Sequence, residues 1–176
     1  MKKLSYFTVL LGLFLSLPTF GQRMEKDSFT TPDKKEIGYD ILSFTDFGVA
    51  TFIIIIPTDE KHKHDLMSLL KKQKGLSKYS MQFYIPNPAL GTGNAEKEIE
   101  NFAGLVKYIT GRKKLVDADL YIIAPESKKY LLDNYVALIQ SGDEKYRKHH
   151  VPKETIALSK YFTLTNEYLV KLGKKN

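Results

Sequence analysis

The chain has no cysteine and no tryptophan among its 176 residues. Without cysteine there is no disulfide, no thiolate metal ligand, no thiol nucleophile and no lipid anchor on sulfur, so packing alone must hold the fold. Asn-x-Ser/Thr sequons are absent too, which removes N-glycosylation. Four histidines leave few combinations for a metal centre. Long apolar runs are also missing. The most extended one, Leu4 to Leu17, has about 14 residues where a membrane-spanning helix needs about 20.

That run follows Lys2 and Lys3, ends at Pro18 and is succeeded by Thr19-Phe20-Gly21. A short positive start, an apolar middle and small residues two apart make a secretory signal peptide, with cleavage expected after Gly21. An exported chain without cysteine or sequons suits the periplasm or secretion from a bacterial envelope. No transmembrane span is expected after cleavage. The formal net charge is +7, and losing Lys2 and Lys3 leaves +5. A basic balance favours anionic partners. No aromatic-interleaved basic stripe accompanies it, so nucleic acid is not expected as a partner.

Residues 22–36, QRMEKDSFTTPDKKE, are polar and predict a loose leader. Residues 37–176 predict a single α/β domain. Ile37 to Phe44 and Val49 to Ile56 read as strands around a turn at Thr45-Asp46-Phe47-Gly48. Four consecutive isoleucines, Ile53 to Ile56, have no polar alternation, as in a strand covered on both faces. Helices are predicted over 62–74, 94–112 and 126–141, and strands over 80–85 and 119–124. A last helical region is expected over 153–172, with Phe162, Leu169 and Leu172 on its core face. The alternation gives one three-layer αβα domain with a small, mostly parallel sheet.

IIIIPTDEKHKHDL, residues 53–66, packs two acids and two histidines behind a strand. On a helix, residues advance by about 100° each, so His62 and His64 diverge by about 200° and cannot clamp one ion. Thr58 or Asp59 is a good N-cap, and Asp59 with Glu60 suits the positive helix end. The stretch is read as a helix start, and no metal and no cofactor are expected. NPALGTGNAEKEIE, residues 87–100, is a Gly-rich turn before a helix. It lacks the phosphate fingerprints, and Glu96, Glu98 and Glu100 repel an anion. Asn94 is its expected cap.

DADLYIIAPESKKYLL, residues 117–132, is a strand, a sharp turn with Ser127, then a helix. In layout it resembles the nucleophile elbow of the α/β hydrolases, and the preceding elements resemble that fold's centre. The resemblance makes Ser127 the candidate catalytic residue. Pro125 and Lys129 stand where such an elbow carries glycines. Asp143 with His149 or His150 would complete a triad, yet they follow too closely to come from later strands. KYRKHHVPK, residues 145–153, is a basic loop suited to an anionic surface or an acidic protein.

These observations are read first as an exported binding or interaction protein of the envelope, without catalytic machinery of its own. The alternative is a hydrolase-like enzyme, or a degenerate relative, with Ser127 at the nucleophile position. A small-ligand crevice is expected at the strand ends, where Asp59, Asn87 with Gly91-Thr92-Gly93, Glu126 and Ser127 gather.

Overall fold

The computed structural model describes residues 22–45, 48–88, 90, 94–112, 118–159 and 162–174. Residues 1–21, where the signal peptide is expected, Asp46 and Phe47 of the expected turn, and Gly91-Thr92-Gly93 lie outside the described residues.

Six strands form one sheet in the order β1-β2-β4-β3-β5-β6. They are β1 Arg23–Thr30, β2 Glu36–Phe44, β3 Thr51–Ile55, β4 Met81–Pro86, β5 Asp119–Pro125 and β6 Glu154–Leu158. β3 pairs in parallel with β4 and β5, and β5 with β6, whereas β2 runs antiparallel to both β1 and β4. The helices are α1 Glu60–Lys71, α2 Ala95–Arg112, α3 Lys129–Gln140 and α4 Asn166–Gly173.

The isoleucine run sits in β3, between two parallel neighbours, and Ile53 to Ile56 are fully buried. Side chains alternate across a strand. Phe52, Ile54 and Ile56 therefore join one core with Phe102, Val106 and Ile109 of α2 and Leu131 and Tyr135 of α3. Ile53 and Ile55 join the other, with Leu66 and Leu70 of α1 and Leu169 and Leu172 of α4. This is the predicted α/β fold with covered faces and a mostly parallel sheet.

Two expectations are corrected. Residues 23–30 are not a loose leader but the edge strand β1, paired along its length with β2 from Arg23↔Ser43 to Thr30↔Glu36. An outer strand needs little apolar content, because its backbone is satisfied by one neighbour. Phe29 supplies the anchor: its ring lies 5.5 Å from that of Tyr108. A Cβ added at Gly104 would lie 2.9 Å from that ring, so the glycine is what admits it. Asp27 accepts a 3.0 Å hydrogen bond from the Tyr39 hydroxyl.

The region 153–172 is not one helix. Thr155-Ile156-Ala157-Leu158 continue the sheet as β6, entered by the Lys153 N–H donating to the Leu120 carbonyl at 2.8 Å. A new helix starts only at Asn166, where the Thr165 hydroxyl caps the Tyr168 N–H at 3.2 Å. Phe162, Leu169 and Leu172 are buried in the α1/α4 core as expected, but Phe162 comes from the segment after β6 and the two leucines from α4.

Candidate functional site

The helix start after β3 takes its predicted form. Asp59 is the N-cap of α1, and its carboxylate accepts from the His62 N–H at 2.8 Å. His62 is buried, and both of its ring nitrogens are engaged. Nε2 lies 2.9 Å from the Phe162 carbonyl, which only accepts, so Nε2 carries the proton. Nδ1 then accepts from the Thr58 N–H at 3.2 Å, with the Thr58 hydroxyl at 2.9 Å. His62 thus ties the β3 exit to the segment after β6. His64 lies elsewhere on the helix and lines a cleft.

That cleft, about 370 Å³, runs between α1 and the β1–β2 hairpin and is lined in part by Met24, Lys26, His64, Met67 and Lys71. At its base the Lys63 ammonium pairs with Asp40 at 2.8 Å, the two side chains 11% and 12% exposed. The same ammonium donates to the Asn87 side-chain oxygen at 2.5 Å. Asn87 is further held by its N–H on the Gly38 carbonyl at 2.9 Å. Of the four expected crevice residues, Asn87 alone lines this cleft. Asp59 is spent as a cap, and Glu126 and Ser127 are exposed on the turn after β5. Asp40 and Lys63 were not singled out in the sequence. The available signal was a carboxylate, Asp40, inside the otherwise apolar strand pattern of Ile37 to Phe44.

Ser127 follows β5 in a short 3-10 turn, Glu126–Lys128, which leads directly into α3. A nucleophile elbow is strained, and that strain is a positive φ at a residue with a side chain. Lys34 and Ser80 are the non-glycine residues with positive φ among those described, so Ser127 does not have the positive φ of such an elbow. Pro125 is extended at φ −67 and ψ 152, and Lys129 is already helical. Beside the serine, Lys128 pairs with Glu98 of α2, and the Tyr130 hydroxyl donates to the same carboxylate. Burial, then that acid, holds the Tyr130 hydroxyl well above the ordinary tyrosine range. These contacts tie the turn to α2.

Hydrolase elbows also need backbone N–H groups for the oxyanion, one of them from the loop after β3. Here the Thr58 N–H goes to His62 and the His62 N–H to Asp59. Asp143, His149 and His150 precede β6, which runs parallel to β5. They therefore lie toward the amino ends of these strands, whereas Ser127 leaves the carboxyl end. β5 alone separates the two edges by about 20 Å. The expected triad partners are not beside Ser127.

At that amino-end edge the basic loop meets the end of α2 in a second cleft of about 420 Å³, lined by Lys107, Thr110, Gly111, Arg147, Lys148, His149 and His150. Among the described residues no group of three or more His, Asp or Glu side chains is placed to hold a metal ion. No described helix is long and apolar enough to cross a membrane.

No protein-family model matches the chain, and no curated protein matches its sequence. Solved structures do resemble it. Carboxyl esterase 2 from the mycorrhizal fungus Tuber melanosporum superimposes with a TM-score of 0.55 at 10% identity, over 85% of this chain and 55% of the esterase. Esterase Est22 gives 0.54 at 11% identity, over 87% and 51%. Brefeldin A esterase, a bacterial homologue of human hormone-sensitive lipase, gives 0.51 at 12% identity, over 72% and 38%. The chain spans about half the length of these esterases or less. At such identities the likeness is one of fold: the α/β arrangement found in the α/β hydrolases.

Proposed function

We propose that the protein is an exported relative of the α/β hydrolases in which Ser127 keeps the nucleophile's place but the surrounding corner no longer performs acyl transfer. Its role is then binding. That Ser127 has no positive φ carries this reading, because a nucleophile must stand clear of the strand end on a strained turn. The committed Thr58 N–H and the distance to His149 and His150 support it. The cleft over the Asp40–Lys63 pair is the surface such a binding protein offers at this end of the sheet.

Labelling with a fluorophosphonate probe tests the reading on the full chain. No adduct on Ser127 is expected, and Ser127→Ala should leave the labelling unchanged. An adduct mapped to Ser127 and lost in that variant overturns it. The second reading, an active serine hydrolase, would then hold. What favours that reading is the exposed Ser127 hydroxyl directly after β5, in a fold shared with esterases.

A further inference from the structure

The basic cleft at the amino ends of the strands is far from Ser127 and plays no part in the function proposed above. It has three features of a ligand site. Its volume, about 420 Å³, lies within the range of small-molecule pockets. Its charge is of one sign. Among the described residues, Lys107, Arg147 and Lys148 make no ion pair and no acidic side chain lines the cleft. Other basic side chains of the same loop are neutralised: Lys145 by Glu100 at 3.4 Å and Lys153 by Asp119 at 2.5 Å.

The end of α2 does not account for three unpaired cations. A helix C-terminus carries about half a negative charge, so the cleft keeps a net positive charge.

The third feature is His149. It is 8% exposed, wedged against the rings of Tyr146 at 5.2 Å and Tyr135 at 6.0 Å. Its ring Nδ1 is sealed from solvent and has no hydrogen-bond partner among the described residues. Buried polar atoms in folded proteins are nearly always satisfied, so this one stands out beside the cleft that His149 lines. Burial, with Lys107 and Lys145 nearby, holds the His149 imidazole below its ordinary value. An anion in the cleft would reverse part of that shift.

We propose that this cleft binds a phosphate group, carried either by a soluble phosphorylated molecule or by a lipid headgroup. Arg147 has the planar fork that grips such oxygens in pairs, and Lys107 and Lys148 add point charges at the rim. The buried His149 and the Thr110 hydroxyl are the polar groups of its wall. The Thr110 hydroxyl donates to the Val106 carbonyl at 2.8 Å, so the donors a phosphate needs come from the basic side chains.

The test follows the imidazole signals of His149 by NMR while inorganic phosphate is added to the full chain at fixed ionic strength and pH. A saturable shift is expected, weakened about tenfold by Arg147→Ala. Lys171→Ala removes the same charge from α4, on the other face of the sheet, and should change the midpoint less than twofold. Competition by phosphatidylglycerol vesicles, but not phosphatidylcholine ones, identifies the ligand as a headgroup. Saturation by phosphate without vesicle competition identifies a soluble ligand. Two results overturn the proposal: no saturable shift at His149, or a shift that Arg147→Ala and Lys171→Ala weaken equally.

Discussion

Replacing Phe162 by alanine should be among the costlier single changes in this protein. The side chain is 6% exposed and packs in the core built by α1 and α4, although it belongs to neither helix. Its ring meets His62 edge-on, with centroids 4.8 Å apart at 83°. Its own carbonyl receives the His62 Nε2–H at 2.9 Å. Truncating a buried phenylalanine typically costs about 3 to 5 kcal/mol, the transfer term plus the cavity it leaves. An edge-to-face ring contact adds about 0.5 to 1.5 kcal/mol within that range. The backbone hydrogen bond to His62 survives if the segment stays in place, so the total should not exceed the upper figure. In a domain of this size each kcal/mol lowers Tm by about 2 to 4 °C, so a fall of about 6 to 20 °C is expected. Urea unfolding followed by far-ultraviolet circular dichroism measures it, because the chain has no tryptophan to report. A loss below about 1 kcal/mol with an unchanged m-value would refute the reasoning. Residues 162–174 would then be a detachable arm rather than part of the core.

Two further outcomes are expected. The buried His149 resists protonation, and the causes in order are burial, Lys107 and Lys145. A histidine lowered in the folded state adds stability above its unfolded value, near 6.5, and loses it as pH falls through the folded value. The urea midpoint should therefore drop on acidification below about pH 6.5, and His149→Gln should flatten that part of the profile; equal slopes in both proteins would refute the assignment. For export, intact-mass measurement on protein recovered from the cell envelope should find a chain starting at Gln22; retention of residues 1–21 would sink the signal-peptide reading.

Local chemistry made much of the fold legible. Ile53 to Ile56, with no polar alternation, read as a strand covered on both faces, and the run lies at the sheet's centre. Thr58-Asp59 announced a helix start, and the divergence of His62 and His64 by about 200° follows from helix geometry whatever the tertiary fold. These features depend on residues close in sequence, so periodicity and capping rules suffice.

What the sequence could not decide depended on partners distant along the chain. Arg23 to Thr30 is too polar to read as a strand, and becomes one because β2 offers a free edge and Gly104 admits the Phe29 ring. Thr155 to Leu158 has enough apolar residues for either helix or strand; a place beside β5 settled it. Asp40, Lys63 and Asn87 are many residues apart, and only the packing of α1 on the sheet brings them together in a site with little water, where each satisfies the other. The same holds for the catalytic question. The order of residues put Ser127 on a turn after a strand, as in a hydrolase. The backbone angle of that turn, and the sheet edge on which His149 and His150 fall, are properties of the folded chain alone, because φ at a corner and the separation of two edges arise only when the strands are laid side by side.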